Sequence, residues 1–266
     1  MTNTEWQLSG NMAERYEEYL VPVIFMPWAN HLIARAGLVP GDSLLDLACG
    51  TGIVARLAAQ SGVMATGGDI NPAMLAVAKE RAAGLDASFH SADAQDLPFE
   101  DEIFDAVICQ QGLQFFPDKP AAMSECFRVI KPGGQAVFCT ARGLEENPLM
   151  RAQVTAFGRH FGEETTGAIR AVCGFPDPDE MRSVFEGAGF GQVAVEKVVL
   201  DLEAEDGPAF VNGLMMATPV ADRIAAMTPT DRTALQNDIL KGFGTYYDFA
   251  LRFPHSANIV VASRSV

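Results

Sequence analysis

Residues 43–139 alternate between short apolar runs and longer stretches of helical periodicity, and this alternation restricts the fold more than any other feature of the sequence. The helical patterns lie at 53–60, 72–83 and 119–130. Strands that alternate with helices of this length build βαβ units around a parallel sheet, whose strands are buried on both faces. The sequence therefore predicts an α/β fold with strands at Ser43–Leu47, Val63–Asp69, Ala87–His90, Phe104–Cys109 and Gly134–Thr140.

The segments outside this region are interpreted as additions to one core. Residues 11–36 predict two helices separated near Pro22, and residues 143–174 and 207–250 predict mostly helix over lengths too great for simple connections. A helix at Pro178–Ala188 with Asp177 as its N-cap, a strand at Val193–Leu202 and a last strand at Asn258–Ala262 complete the core. We expect an N-terminal helical cap at 1–40, a core at 41–142, a lid insertion at 143–176, a core helix and strand at 177–203, a second lid insertion at 204–256 and the last core strand at 257–266.

Charge and cysteine content exclude several classes of protein. The 266 residues include 19 Lys and Arg against 34 Asp and Glu, a formal net charge of −15 that repels nucleic acid. The five cysteines are odd in number and contain no Cys-x-x-Cys pair, which argues against a disulfide framework and a thiolate zinc site. Reduced thiols are typical of a cytoplasmic protein, which is the location we expect.

The start of the chain favours neither a membrane span nor a signal peptide. Its longest apolar stretch, Leu20–Ala29, is about half of the ~20 residues that a span needs. Acidic residues at Glu5, Glu14 and Glu17 do not suit the basic start of a signal peptide.

The strongest local signal is an acidic strand end followed by a loop of small residues. Asp46 closes the first strand, and Gly50 and Gly52 let a ligand approach the backbone where the next helix opens. Asp69 ends the second strand 19 positions after Gly50, a spacing that suits a carboxylate on the two hydroxyls of a ribose. Residues 50–55 alone also fit the Gly-x-Gly-x-x-Ala fingerprint of NAD-binding proteins. The carboxylate of Asp46 favours a cationic nucleoside over a pyrophosphate.

Several ordered motifs resemble those of one family. They are Asp-Leu-Ala-Cys-Gly-Thr-Gly at 46–52, Asp-Ile-Asn-Pro-Ala-Met-Leu at 69–75, Ser-Ala-Asp-Ala-Gln-Asp-Leu-Pro-Phe at 91–99, Phe-Asp-Ala-Val-Ile-Cys-Gln-Gln at 104–111 and Arg-Val-Ile-Lys-Pro-Gly-Gly at 128–134. Together they resemble the class I S-adenosylmethionine-dependent methyltransferases (type 11) related to the C-methyltransferases of ubiquinone and menaquinone biosynthesis. Ala48 replaces the usual first glycine of the first motif. The resemblance covers about residues 40–140 and implies a Rossmann-like sheet of seven strands, mostly parallel, with the last strand antiparallel.

The resemblance also implies S-adenosylmethionine as cofactor, with S-adenosylhomocysteine as product, and a role for each matched position. Asp46 and the loop after it would hold the methionine end, and Asp69 would bind the ribose. Ile70 and Met74 would enclose the adenine, and Asp93 would accept a hydrogen bond from its amino group. The positions with an implied cofactor role are Tyr16, Tyr19, Asp46, Ala48, Cys49, Gly50, Thr51, Gly52, Asp69, Ile70, Met74, Ala92, Asp93, Ala94, Gln110 and Gln111.

Each of these positions also has an ordinary structural interpretation. Asp69 and Asp93 could cap helices or turns, and Met74 could pack in the core. Tyr16 and Tyr19 could be aromatic residues on an ordinary helix face. Gln110 stands where catechol-type methyltransferases place a metal-binding Asp, so we expect no metal.

Both insertions follow strands at the edge of the sheet where the cofactor would bind, so we expect them to cover the site. Their aromatic and Met side chains suit an apolar or aromatic small molecule, although each could instead pack the lid helices together. These residues are Phe157, His160, Phe161, Phe175, Phe210, Met215, Met216, Phe243, Tyr246, Tyr247, Phe253 and His255. Among them His255, His160 and Tyr246 are the candidate catalytic groups.

The function expected is methyl transfer to a small, largely apolar or aromatic molecule, at oxygen or carbon. Two alternatives stay open: an NAD-dependent oxidoreductase of Rossmann type, and a non-catalytic S-adenosylmethionine-binding subunit. We expect no nucleic-acid partner and no membrane span, and the sequence leaves open whether the chain forms a homodimer.

Overall fold

The computed structural model describes residues 12–266 and is built on one mixed sheet. The first eleven residues, which begin the predicted N-terminal cap, lie outside the described residues. Seven strands follow one another across the sheet in the order β3-β2-β1-β4-β5-β8-β6, and the two-residue β7 pairs with β8. The strands are β1 (Ser43–Leu47), β2 (Met64–Asp69), β3 (Ala87–Ser91), β4 (Phe104–Gln110), β5 (Ile130–Ala141), β6 (Gln192–Ala204), β7 (Tyr247–Asp248) and β8 (Ala250–Ser263).

Helices cover both faces of this sheet and one of its ends. In chain order they are α1 (Met12–Arg15), a π-helical segment (Tyr16–Phe25), α2 (Met26–Ala36), α3 (Ile53–Gln60), α4 (Pro72–Arg81), α5 (Lys119–Val129), α6 (Pro148–Phe161), α7 (Gly167–Val172), α8 (Pro178–Gly187), α9 (Gly207–Met216), α10 (Ala221–Ala225) and α11 (Pro229–Gly242). Short 3₁₀ turns lie at Leu113–Phe115, Leu144–Glu146, Glu163–Thr166 and Gly244–Tyr246.

The predicted fold class is confirmed. Strands β1 to β5 pair in parallel, whereas β8 is antiparallel to both of its long neighbours, β5 and β6. Successive residues enter opposite faces: Leu44 and Ala106 belong to one buried cluster, and Leu45 and Val107 belong to the other. The sheet is therefore buried on both sides, which is why its central strands read as continuous apolar runs.

The predicted break near Pro22 is not present. The chain passes from α1 into the π-helical segment and then into α2, and the N–H of Met26 donates to the carbonyl of Val21 five residues back. A π-helical stretch is one of the ways in which a helix accommodates a residue without an N–H. Pro22 therefore changes the helix type without ending the helix.

The last strand is longer than predicted. It begins at Ala250, eight residues before the predicted start at Asn258, and pairs with β6 from Leu251 onwards. Pro254 weakens a strand prediction because proline cannot donate to a sheet ladder. Here Pro254 lies in the section that pairs with β6 alone, since the pairing with β5 starts at Ala257. The strand brings His255 into the sheet, whereas the expected division placed it in the second lid insertion.

Two further observations bear on the sequence analysis. All five cysteines are free and buried. Within residues 12–266, no helix has the length and apolar character needed to cross a membrane.

Candidate functional site

A cavity of about 740 Å³ lies at the carboxyl ends of the central parallel strands. Its volume is in the range of small-molecule sites, about 300–1,000 Å³. One part of its lining follows the ends of β1, β2, β3 and β4, and the other part comes from the π-helical segment, α6, α7 and α9. The residues from the sequence prediction that line it are Tyr16, Ala48, Gly50, Asp69, Ile70, Met74, Ala92, Asp93, Ala94, Gln110, Gln111 and His255.

The loop after β1 has a tightly wound backbone. Ala48, Gly50 and Gly52 all have positive φ angles, of 55°, 55° and 78°. A Cβ on Gly52 would stand 2.5 Å from the ring of Phe89, so the loop packs against β3 only with glycine there. At Gly50 the nearest atom to such a Cβ would be the Tyr16 hydroxyl oxygen at 3.9 Å, which leaves this part of the loop open to the cavity.

Asp46 lies beneath this loop and not on the cavity surface. Its Oδ2 accepts a hydrogen bond of 2.9 Å from the N–H of Ala55 in the first turn of α3. Burial raises the pKa of this carboxyl to about 7. Three further predicted positions, Cys49, Thr51 and Gly52, also lie outside the cavity lining, because the loop turns their side chains or Cα atoms towards the core.

Asp69 ends β2 and lines the cavity. Its Oδ2 accepts the N–H of Gly50 at 2.8 Å, and its Oδ1 accepts the N–H of Asn71 at 2.8 Å. Burial raises the pKa of Asp69, although these backbone hydrogen bonds oppose that rise. The carboxylate, which also accepts from the N–H of Ile70, thereby joins two neighbouring loops at the cavity wall.

Residues near Asp69 form one rim of the cavity. Ile70 is 59% exposed, whereas Met74 on α4 is buried, and both line the cavity beside Asp69. Asp93 is exposed at this rim and accepts the N–H of Gln95 at 2.9 Å. An apolar slot bordered by carboxylates is suited to a flat ring that carries hydrogen-bond donors.

The π-helical segment separates the two predicted tyrosines. Tyr16 lines the cavity and packs against Phe25 in a tilted arrangement, with ring centroids 4.7 Å apart. Tyr19 instead packs against Gly213 of α9 outside the cavity, because residues three apart point in different directions when the helix is wound more widely. The segment is held to α3 by an ion pair of 2.6 Å between Glu17 and Arg56.

Three glutamines lie at the carboxyl end of β4: Gln110 is its last residue, and Gln111 and Gln114 follow it. Gln110 donates to the carbonyl of Phe25 at 2.8 Å, so it ties the strand end to the π-helical segment. Gln111 has a φ of 58°, unusual for a residue with a side chain, and its Oε1 accepts from Ala141 and Gln114. Buried carboxamide atoms of all three, Gln110 Oε1, Gln111 Nε2 and Gln114 Oε1, have no hydrogen-bond partner in the described part of the chain. Such unpaired atoms are costly unless a ligand or water satisfies them.

His255 is the one candidate catalytic residue that reaches the cavity. It is 1% exposed, and its Nδ1 accepts a hydrogen bond of 3.0 Å from the indole N–H of Trp28. Burial lowers the pKa of this imidazole to about 4. The ring is therefore neutral at physiological pH.

The other two candidates lie elsewhere. His160 on α6 pairs through Nε2 with Asp238 of α11 at 2.9 Å, a contact between two lid helices. Tyr246 is 37% exposed in the 3₁₀ turn before β7 and does not line the cavity. Neither residue is brought to the cavity.

The predicted aromatic wall is also placed differently. Of the lid side chains named for it, His255 alone lines the cavity, while Phe210, Phe243 and Phe253 pack on one another between the lid and the sheet. The apolar part of the lining consists mainly of aliphatic and Met side chains from the segments around it. The residues that the sequence analysis missed are Leu20, Ile24, Phe25, Leu47, Asn71, Gln95, Gly112, Gln114, Phe115, Phe116, Pro117, Leu149, Met150, Gln153, Ile169, Val172, Leu214, Ala217 and Thr218.

For Leu20 and Ile24 the sequence did carry a usable signal, since apolar residues four apart share a helix face.

The described residues show no metal-binding cluster. Residues 12–266 contain no group of three or more His, Cys, Asp or Glu side chains placed to hold an ion.

Comparison with known families and proteins agrees with this geometry. Residues 45–138 match the family described as "Methyltransferase domain". A demethylmenaquinone methyltransferase of Staphylococcus epidermidis is 30% identical over 203 residues, which are 70% of this chain and 84% of that protein. An uncharacterized protein of Mycobacterium tuberculosis is 40% identical over 131 residues, 48% of this chain and 46% of that protein, so the chain spans about half the length of this relative.

Solved structures share the fold at lower sequence identity. A phosphoethanolamine N-methyltransferase of Haemonchus contortus, in complex with S-adenosyl-L-methionine, superposes with a TM-score of 0.60 and 21% identity. The match covers 90% of this chain and 53% of that one. At this identity the likeness concerns the fold alone.

Proposed function

This chain belongs to the class I S-adenosylmethionine-dependent methyltransferases of the ubiquinone/menaquinone type, and from this membership we propose that it transfers a methyl group from S-adenosylmethionine to a small, largely apolar or aromatic molecule at oxygen or carbon. The observation that carries the proposal is the continuity of the cavity. One wall holds the strand-end carboxylates and the glycine loop, and the other wall is largely apolar.

The residues present fit the cofactor. Asp69 lines the cavity where the ribose hydroxyls would lie, Ile70 and Met74 border an apolar slot for the adenine, and Asp93 is placed at its rim. Asp46 lies beneath the loop that would hold the methionine end and supports it through the hydrogen bond from Ala55. The unpaired carboxamide atoms beside the end of β4 are polar groups that a ligand in the cavity could satisfy. When bound, S-adenosylmethionine supplies an electrophilic methyl group on a sulfonium.

The chain's own contribution is to position the acceptor and to exclude water. The π-helical segment and α9 form the cover of the cavity, and the ion pair between Glu17 and Arg56 holds that cover to the core. Leu20, Leu149 and Leu214 give the acceptor part an apolar surface. Because methyl transfer leaves a neutral thioether, orientation and desolvation can supply much of the acceleration.

The nature of the acceptor is also part of the proposal. The aliphatic lining favours an apolar molecule, and the relative from Staphylococcus epidermidis is named for a demethylmenaquinone substrate. The net charge of −15 supports a small-molecule partner over nucleic acid, and five free cysteines agree with a cytoplasmic location.

Calorimetric titration with S-adenosylhomocysteine and with NAD tests the cofactor assignment. We expect S-adenosylhomocysteine to bind and NAD to give no heat of binding. Transfer of radiolabel from S-adenosylmethionine to reduced demethylmenaquinone and to a library of phenols then tests the acceptor class. Binding of NAD with no binding of S-adenosylhomocysteine would overturn the proposal.

A further inference from the structure

His255 and Trp28 form a buried pair at the cavity wall. The indole N–H of Trp28 donates to His255 Nδ1 at 3.0 Å, and the ring centroids are 5.6 Å apart with an interplanar angle of 65°. Trp28 is fully buried in α2, and His255 is buried in β8, so both rings are held by well-packed elements. Trp28 does not line the cavity, whereas His255 does.

This hydrogen bond determines which nitrogen of His255 carries the proton. An indole N–H can only donate, so Nδ1 must present a lone pair, and a neutral imidazole then carries its hydrogen on Nε2. In the described part of the chain, the hydrogen bond found for the His255 ring is the one at Nδ1. Because His255 lines the cavity, an N–H at Nε2 is available to a ligand or water there.

We propose, building on the proposed methyltransferase function, that His255 donates a hydrogen bond from Nε2 to an oxygen atom of the methyl acceptor, and that Trp28 is the positioning residue that selects this tautomer. His255, named above as a candidate catalytic group, therefore does not act as a general base. A base needs a free lone pair, and the lone pair of His255 is engaged by Trp28.

The surrounding cavity indicates the chemical class of that acceptor. Among the described residues that line it, the charged side chains are Asp69 and Asp93, both at the strand ends, and there is no Lys or Arg. A carboxylate or phosphate on the acceptor would find no cation to pair with. The acceptor is thus an uncharged molecule with an apolar body and a carbonyl, ether or hydroxyl oxygen.

The tautomer can be measured directly without any enzymatic activity. Long-range ¹H–¹⁵N correlation spectra of the protein labelled with ¹⁵N-histidine, assigned with His255→Gln, report which ring nitrogen is protonated. We expect the Nε2–H tautomer at pH 7. In Trp28→Phe, which keeps an aromatic ring but removes the donor, we expect a mixture of tautomers. An Nδ1–H tautomer or an imidazolium in the wild-type protein would overturn the proposal, whether or not the variant folds.

The donor role is tested with a matched pair of probes in the presence of S-adenosylhomocysteine. 1-Tetralone carries a carbonyl oxygen that tetralin lacks on the same ring skeleton. We expect 1-tetralone to bind about three- to tenfold more tightly, the contribution of one neutral hydrogen bond. His255→Leu should abolish this preference, whereas His255→Gln, which can donate but cannot act as a base, should retain part of it.

The possible failures are distinguishable. Equal binding of the two probes, or no binding of either, to the wild-type protein contradicts the donor role. Loss of the preference in His255→Gln to the same extent as in His255→Leu also contradicts it. Absence of S-adenosylhomocysteine binding would overturn the proposed function, and the tautomer measurement would still decide the relation between Trp28 and His255.

Discussion

Asp69 is the side chain whose loss should affect cofactor binding most. Two charge-assisted hydrogen bonds to a ribose would each contribute roughly 1.5–3 kcal/mol. We therefore expect Asp69→Ala to weaken the binding of S-adenosylhomocysteine at least about tenfold, as measured by calorimetry.

The control for this experiment is Asp86→Ala. Asp86 is exposed before β3, away from the cavity, and its removal changes the net charge by the same amount. Asp69 also accepts from the N–H groups of Gly50 and Asn71, so circular dichroism and thermal unfolding must show that the variant is folded. Unchanged affinity in a folded Asp69→Ala would remove this residue from the ribose site.

His255 should make stability depend on pH. Burial lowers the pKa of its imidazole to about 4, from an ordinary value near 6.5, so below pH 6.5 the unfolded chain binds more protons than the folded one. The contribution is complete above pH 6.5 and is lost as the pH falls towards 4. Between pH 8 and pH 5 we expect the free energy of unfolding to fall by about 2 kcal/mol from this group.

Urea unfolding of the wild type and of His255→Gln at both pH values isolates this effect, because glutamine does not titrate. The wild type should lose about 2 kcal/mol more than the variant between pH 8 and pH 5. An equal loss in both proteins would mean that the imidazole is not kept neutral by burial.

At the scale of secondary-structure elements, the close packing of Tyr19 on Gly213 joins the π-helical segment to α9. A Cβ on Gly213 would stand 2.0 Å from Cγ of Tyr19. Alanine is favoured over glycine within a helix by up to ~1 kcal/mol, but this steric conflict reverses the sign. We expect Gly213→Ala to destabilise the protein by about 1–3 kcal/mol in urea unfolding.

Two variants separate the conflict from the helix preference. Gly187→Ala on α8, where a Cβ would meet nothing within 4 Å, should be neutral or stabilising. In a Tyr19→Ala background, Gly213→Ala should lower the free energy of unfolding by less than it does in the wild-type background. Additive costs would show that the two elements are not coupled through this contact.

The elements that were predicted well are those with a strong local signal. Strands β1 and β4 are short, mostly buried apolar runs. Asp69 and Gly50 could be placed together because parallel strands end at the same edge of a sheet. Asp177 was correctly predicted as an N-cap, because its side chain accepts from the N–H groups of Asp179 and Glu180.

The elements that were missed depend on tertiary contacts. The π-helical segment has no sequence signature, so Tyr16 and Tyr19 could not be assigned to different sides. Phe243 and Phe253 pack on each other away from the cavity. Their residue type alone does not distinguish them from aromatic side chains that contact a ligand, because periodicity shows that a face is buried but not whether it meets a cavity. The partner of His255 is Trp28, 227 residues away, and no local pattern links them.

At the scale of the whole molecule, the formal net charge of −15 should distinguish cofactor from product. S-adenosylmethionine carries one net positive charge at pH 7, whereas S-adenosylhomocysteine carries none. Attraction of the cation is screened by salt. We expect the dissociation constant of S-adenosylmethionine to rise at least about twofold between 20 and 300 mM NaCl, and that of S-adenosylhomocysteine to change little.

Calorimetric titration of both ligands at the two salt concentrations measures this difference, and sucrose at matched osmolality controls for effects other than ionic strength. The same salt response for both ligands would mean that the protein's overall field plays no part in cofactor binding.

The hydrogen bond between Trp28 and His255 also sets the time at which the site can be completed during synthesis. A ribosome that adds roughly 5–20 residues per second needs roughly 10–45 s to pass from Trp28 to His255, 227 residues later. Throughout that interval the indole has no imidazole to bind, and β5 has no antiparallel neighbour in β8. The nascent chain can therefore form its strand-end carboxylate sites well before it can enclose an acceptor, so nucleoside binding can precede catalytic competence on the ribosome.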